Sequence, residues 1–276
     1  METFGRRLRA AMDARGPLCV GIDPHAALLA RWGLPDDAAG LERFSFTVVE
    51  ALADRVAVLK PQSAFFERFG SRGIAILESI IRQSREAGAL VLLDVKRGDI
   101  GSTMAAYASA YLDPDSSLCA DAITVSPYLG VGSLRPAFDA AAANGGGVFV
   151  LALTSNPEGP SVQHARTAAG PTVAQTVIDE ISQLNAGASE LGSVGLVVGA
   201  TIGETGHDLS AVNGPLLAPG LGAQGGDPAG LAAIFGGSLR NVLPSYSREV
   251  LSAGPDTGAL RAAADRAAAA CGAVIG

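Results

Sequence analysis

The sequence predicts an α/β fold, a (β/α)8 TIM barrel forming one domain over residues 1–276, and three observations carry that prediction. Short β-rich apolar runs alternate with helix-like stretches along almost the whole chain, which implies parallel strands joined by crossover helices. Eight such units fit the chain and leave no long run for a second domain, as expected of a closed barrel of roughly 250 residues. The early strands also end in charged or hydroxyl side chains, as they would if their C-terminal ends formed a functional mouth.

The elements follow in order. Residues 1–15 are charged and amphipathic, with Phe4, Leu8 and Met12 on one face, predicting a helix that packs outside or beneath the barrel. Strands are predicted near 18–23, 56–60, 89–96, 122–126, 148–154, 193–200, 215–219 and 241–245. Helix-like segments lie at 44–53, 73–87, 104–112, 134–142, 172–184 and 228–235, and an Ala-rich closing helix at about 257–273. The glycines at 145–147 precede a strand instead of opening a helix, so they read as a turn and not as a phosphate loop. The longest irregular stretches, 155–171 and 220–228, directly follow strands, which puts both at the catalytic face as candidate lids.

Composition narrows the function classes. A net charge of −7 with no Lys/Arg cluster argues against a nucleic-acid partner. The apolar runs are far shorter than the roughly 20 residues a membrane span needs, and the N-terminal stretch lacks the apolar core of a secretory signal. Cys19, Cys119 and Cys271 are odd in number and widely spaced, so they suit buried thiols in a reducing cytoplasm better than disulfides or zinc. His25, His164 and His207 lack ligand spacing, and no metal site is predicted. Trp32 and the pair Phe65–Phe66 read as packing.

Candidate site residues come from strand parity. In the stretch LVLLDVKRGDIGST at 90–103, Leu90, Leu92, Asp94 and Lys96 share one face and Val91, Leu93 and Val95 the other. Charges are rarely placed at the end of a buried strand unless they are paired or used. The same alternation groups Cys19, Gly21 and Asp23; Val56, Val58 and Lys60; and Ala122, Thr124 and Ser126. If those faces point inward, Asp23, Lys60, Asp94, Lys96 and Ser126 converge at the mouth. The second half supplies PGLGAQGGD at 219–227, whose glycines allow close approach of backbone N–H groups to an anion, with Gln224 as an added donor. Arg248 follows the last strand at the start of a helix, where its guanidinium and the helix dipole would both favour a phosphate.

Taken together, LKPQSAFFE, LLDVKRGDIGST, TVSPYLG and PGLGAQGGD resemble the orotidine 5′-phosphate decarboxylase family in its longer bacterial branch (type 2), from Cys19 to the SREVLSAG at Ser247. The resemblance implies a cofactor-free and metal-free carboxy-lyase of pyrimidine (UMP) biosynthesis, built around a charged array of Lys60, Asp94, Lys96 and Asp99. It implies that Asp94 lies against the carboxylate of a small nucleotide substrate and that Lys96 protonates C6 of the pyrimidine as CO2 leaves. Asp23 and Lys60 would hold ribose hydroxyls, Ser126 the pyrimidine edge, and Gln224 and Arg248 the 5′-phosphate. It further implies a homodimer in which Asp99 and Thr103 complete the partner's site. Thr154, Ser155 and Asn156 are candidates for contacts to the base.

Two other readings fit part of the pattern. A magnesium-dependent sugar-phosphate enzyme resembling hexulose-phosphate synthase would share the Asp-x-Lys-x-x-Asp element and the phosphate loop. That branch ends its second strand in an acidic residue, whereas Lys60 here would repel a divalent cation. A non-catalytic phosphate-binding barrel would not require the alternating acids and bases.

Overall fold

The computed structural model describes residues 1–203 and 206–276. Its centre is a closed barrel of eight parallel strands in sequential order. They are β1 (Cys19–Ile22), β2 (Val58–Pro61), β3 (Leu90–Arg97) and β4 (Ala122–Val125), then β5 (Gly147–Leu153), β6 (Val194–Val198), β7 (Leu216–Pro219) and β8 (Val242–Tyr246). The barrel closes where β1 pairs with β8, Cys19 opposite Ser245. All eight expected strands are present, and strand parity sorts their side chains as expected. Val91, Leu93 and Val95 join the large apolar layer between sheet and helices. Leu92 turns inward with Cys19, Val58, Ala122, Phe149, Val197, Leu217 and Leu243.

Helix α1 (Phe4–Arg15) lies beneath the barrel. Phe4, Leu8 and Met12 belong to the interior cluster, so the helix plugs the end opposite the strand C-termini. Phe4 meets Phe149 edge-on with ring centroids 6.0 Å apart. Gly147 is required there, because a Cβ would stand 2.2 Å from the Phe4 ring. Arg7 fastens the plug through Asp121 (2.5 Å) and the Gly145 carbonyl (2.9 Å), and buried Asp121 also accepts from Val91 N–H (2.9 Å). Phe4 is 1% exposed, so Phe4→Ala should cost about 3–5 kcal/mol through lost burial and a residual cavity. A denaturation midpoint within experimental error of wild type would show that the plug is dispensable.

Several elements differ from the sequence expectation. The helix expected from residue 44 begins six residues earlier, as Ala38–Leu52, because Asp37 caps it by accepting from Gly40 N–H (2.9 Å). Gly40 allows that entry, since a Cβ would sit 1.9 Å from the Pro35 carbonyl oxygen. The segment expected as a helix at 228–235 is a 3-10 turn followed by a short α-helix, Leu231–Phe235. Four further short helices, Ala26–Arg31, Ala64–Glu67, Pro160–Gln163 and Arg248–Leu251, are too brief to show an apolar period. Among the described residues, no helix is assigned between β6 and β7. The closing helix runs Thr257–Ile275, started by Asp256 accepting from Ala259 N–H (2.7 Å). Trp32 is packing, as expected: its ring lies 4.2 Å from that of Phe44, and its indole N–H donates to Leu251 O (2.9 Å). Cys19 and Cys271 are buried, while Cys119 is only half-buried. Among the described residues, no helix is long and apolar enough to cross a membrane.

Candidate active site

A cavity of about 210 Å³ opens at the C-terminal ends of the strands. Its polar inner wall is made by Asp23, Lys60, Asp94 and Lys96, which parity had placed together. Leu151, Val197 and Leu217 supply an apolar wall, and Gln224 and Arg248 line the same space.

Asp94 is the hub. It is only 8% exposed, and such a carboxylate stays charged only if it is compensated. Lys96 Nζ donates to both of its oxygens, at 2.7 Å to Oδ1 and 2.6 Å to Oδ2. Thr124 Oγ1 donates to Oδ1 at 2.6 Å, and Lys60 Nζ stands 3.6 Å from Oδ2. Burial pushes the Asp94 carboxyl up, but Lys60, Lys96 and Thr124 outweigh it and hold it below the ordinary carboxylate value. Since the folded pKa lies below the unfolded one, this pairing stabilises the fold above the usual carboxylate range and is lost as pH falls through the lowered value.

Lys60 is buried at 6% exposure. Burial opposes its charge, but Asp23 and Asp94 prevail and raise its pKa, so it is a permanent cation at the end of β2. Below it, burial pushes the Cys19 thiol up to about 12, leaving a neutral floor. Asp23 folds back over Gly21, where a Cβ would meet Asp23 Oδ2 at 2.9 Å and Ser247 Cβ at 3.0 Å. Asp23 Oδ1 and Ser247 Oγ are buried and form no hydrogen bond among the described residues. Both residues line the cavity, so they are groups a ligand could satisfy.

Lys96 differs from the other members of the wall. It has φ +45° and a side chain 46% exposed. The β3–β4 register shifts between Leu93 and Arg97, so the strand bulges where Asp94 and Lys96 sit. Bulges commonly re-aim a side chain beside a functional site. Here the bulge folds the ammonium back over Asp94.

At the other end, the loop after β7 is knotted by its own backbone. Gly226 N–H donates to Gly220 O (3.0 Å), Gly222 N–H to Gly226 O (2.9 Å) and Gly225 N–H to Gly222 O (2.7 Å). Gly220, Gly222 and Gly225 have φ of +107°, +69° and +93°, a conformation that favours glycine. Arg248 opens a helix of only four residues. The dipole expected to assist it is therefore slight, and its guanidinium is left as the cationic group at this end of the cavity.

Three expected site residues lie outside this lining. Ser126 sits beyond β4 with its N–H donating to Arg97 O (2.8 Å), and Thr124, two residues earlier, occupies the wall instead. Asp99 accepts from Ile100 N–H (2.8 Å), and Thr103 is exposed on the helix Gly101–Leu112. Of the candidates after β5, Thr154 lines the cavity. Its backbone and hydroxyl are clamped by the Gln163 amide at 3.0 and 2.6 Å. Ser155 and Asn156 do not line it. Gln62, Thr124, Ser245 and Ser247 also line it; strand alternation groups Thr124 with Ser126, whereas no sequence signal singles out Gln62, Ser245 or Ser247. His25 precedes a short helix without a side-chain capping bond, and its ring packs 5.9 Å from that of Phe65. Among the described residues, no group of three His, Cys, Asp or Glu could hold a metal ion.

The chain is similar to known proteins along almost its whole length. A family model described as orotidine 5′-phosphate decarboxylase / HUMPS family matches residues 16–263. The orotidine 5′-phosphate decarboxylase of Salinispora arenicola is 77% identical over 275 residues, covering 100% of this chain and 99% of that one. That of Streptomyces coelicolor is 66% identical over 267 residues, 96% of each. Among solved structures, a Streptomyces avermitilis protein provisionally given the same name superposes with a TM-score of 0.97 at 63% identity, covering 100% of this chain and 96% of that one. The OMP decarboxylase of Leishmania donovani superposes at 0.77 with 31% identity, covering 99% of this chain and 98% of that one.

Proposed function

The chain belongs to the orotidine 5′-phosphate decarboxylase / HUMPS family, and we propose that it converts orotidine 5′-phosphate to UMP and CO2 in cytoplasmic pyrimidine synthesis, without metal or organic cofactor. The observation that carries this reading is the arrangement around Asp94: one buried carboxylate between two ammonium groups, in the same cavity as Gln224 of the Gly-rich loop and Arg248. A phosphorylated ligand held by Gln224 and Arg248 extends along the cavity toward Asp94.

The chemistry follows from the charges. Loss of CO2 from C6 leaves an electron pair that the ring delocalises poorly, so a fixed cation nearby lowers the barrier. Lys96 is the ammonium free to move, being half-exposed on a bulge, and it can turn from Asp94 to C6 and donate its proton there. Lys60 is buried and stays behind to keep Asp94 ionised. Asp94 then faces the substrate carboxylate, and that repulsion falls as the carboxylate becomes neutral CO2, which favours the transition state over the ground state. Asp23 and Lys60 take the ribose hydroxyls, consistent with the unpaired Asp23 Oδ1. Ser126 can meet the pyrimidine edge only through a shift of the loop after β4.

Asp99 and Thr103 are assigned to the site of a second copy. Their place outside the lining supports this, as does the exposed apolar surface beside them. Ile100 is 62%, Tyr128 81% and Leu129 52% exposed, and the two loops meet, with a Cβ on Gly98 only 2.5 Å from the Ser126 carbonyl oxygen. Apolar surface of this kind marks an interaction site.

The magnesium-dependent alternative is disfavoured by Lys60, whose buried, permanent charge stands where a divalent cation would share the Asp23 and Asp94 carboxylates. Incubation with orotidine 5′-phosphate, followed by loss of substrate absorbance, tests the reading. Turnover should be the same with and without EDTA. Turnover abolished by EDTA would favour the metal enzyme, and no turnover in either condition would leave only a binding barrel.

A further inference from the structure

We infer that Thr124 is a positioning residue for this reaction, one hydroxyl of which holds the Lys96 backbone and the Asp94 carboxylate in register with each other. The inference rests on the decarboxylase reading and adds to it a residue that the charged array does not contain.

The roles of the hydroxyl are fixed by its partners. Lys96 N–H can only donate, and it reaches Thr124 Oγ1 at 3.0 Å. Ionised Asp94 can only accept, and Thr124 Oγ1 lies 2.6 Å from its Oδ1. The proton of Thr124 therefore points at Asp94 and its lone pair at the Lys96 backbone. Thr124 is 1% exposed, so no solvent competes for either bond.

The register explains why a side chain is needed here. Leu93 pairs with Ile123 and Arg97 with Val125, so four residues of β3 advance while β4 advances two. Thr124 is the β4 residue opposite the bulge. Its hydroxyl takes the N–H that a regular ladder would have given to a main-chain carbonyl. Lys96 holds φ +45°, an unfavourable conformation for a residue with a Cβ. The Thr124 bond is thus a tie on a strained turn, and that turn sets where the ammonium starts. The charged groups around Asp94 come from three successive strand ends, with Asp23 directly after β1, Lys60 on β2 and Lys96 beside Asp94 on β3. Removing the hydroxyl therefore loosens the aim of Lys96 against Asp94 without removing any charge of the array.

Thr124→Val keeps the shape of the side chain and deletes both bonds. It should lower kcat by about 10- to 100-fold, since displacement of a reacting group by about 1 Å can cost that much. KM and inhibition by UMP should stay within about 3-fold, because the phosphate and ribose contacts are untouched. Thr124→Ser, which restores the hydroxyl and omits the methyl, should return most of the lost rate. A Thr124→Val enzyme within about 2-fold of wild-type kcat would overturn the assignment. So would a Thr124→Ser enzyme as slow as Thr124→Val, because the methyl and not the hydroxyl would then matter. Should Thr124→Val fail to bind UMP, Thr124→Cys, similar in size and a poor hydrogen-bonding group, is judged by the same criteria. Wild-type turnover is measured alongside: its absence counts against the decarboxylase reading, and an unimpaired Thr124→Val counts against this inference alone.

Discussion

Replacing Lys96 with alanine should leave a folded protein that binds UMP and scarcely decarboxylates. Lys96 is the one ammonium of the array with both a proton to give and room to move: its side chain is 46% exposed, whereas that of Lys60 is 7% exposed. Its removal takes away the general acid and the cation that stabilises the developing charge at C6. Such contributions reach about 10⁴-fold for a general acid and about 10²- to 10³-fold for an electrostatic donor, so a loss of ~10⁴-fold or more in kcat is expected. Folding should survive, because Asp94 keeps Thr124 at 2.6 Å and Lys60 at 3.6 Å. UMP affinity should change by less than about 10-fold, since Asp23, Gln224 and Arg248 remain and the product lacks the departing carboxylate. Single-turnover kinetics with a parallel UMP titration checks both halves. A variant that keeps most of its rate would show that Lys96 is not the proton donor.

The second large effect is complementation between subunits. An Asp94→Asn protein and an Asp99→Asn protein should each be nearly inactive alone. If Asp99 serves the neighbour's site, a mixed dimer holds one site with both lesions and one with neither. Random exchange of equal amounts makes half the dimers mixed, so about a quarter of wild-type activity should return. Recovery should track the fraction of mixed dimers, measured by native mass spectrometry. Absence of recovery in confirmed mixed dimers would place Asp99 in its own barrel's site. Neither Asp99 nor Thr103 reaches the cavity of its own chain, so an active monomer would require a different partner for Asp94.

Much of this was legible in the chain because the relevant signal is local. A strand has a side-chain period of two, so the alternation in LVLLDVKR alone separates Val91 and Leu93 from Leu92 and Asp94. The same rule brings Asp23 and Lys60 to the cavity that holds Asp94 and Lys96. The glycines at 220, 222 and 225 declare a loop of positive φ for an equally local reason. Rule-based reading failed where an element departs from regularity or is too short to be periodic. Continuing the β4 alternation projects Ser126 inward, but the strand ends at Val125 and the rule ends with it. The helix start at Ala38 carries no periodic signal, because it is set by the Asp37 cap and not by an apolar stripe.

The sequence by itself determined the barrel, the order of its strands and the identity of the charged residues at its mouth, since each follows from spacing within a few residues. Only the tertiary structure decided how those charges are used. That α1 plugs the barrel from below depends on Phe149 and Gly147, more than a hundred residues away. That Lys96 folds back onto Asp94 depends on a bulge in β3 opposite Thr124 of β4. The physical reason is the same in both cases. Periodicity tells a side chain which face to take, but a bulge, a strained φ or a plugged barrel end persists only when a neighbouring element supplies the compensating contact.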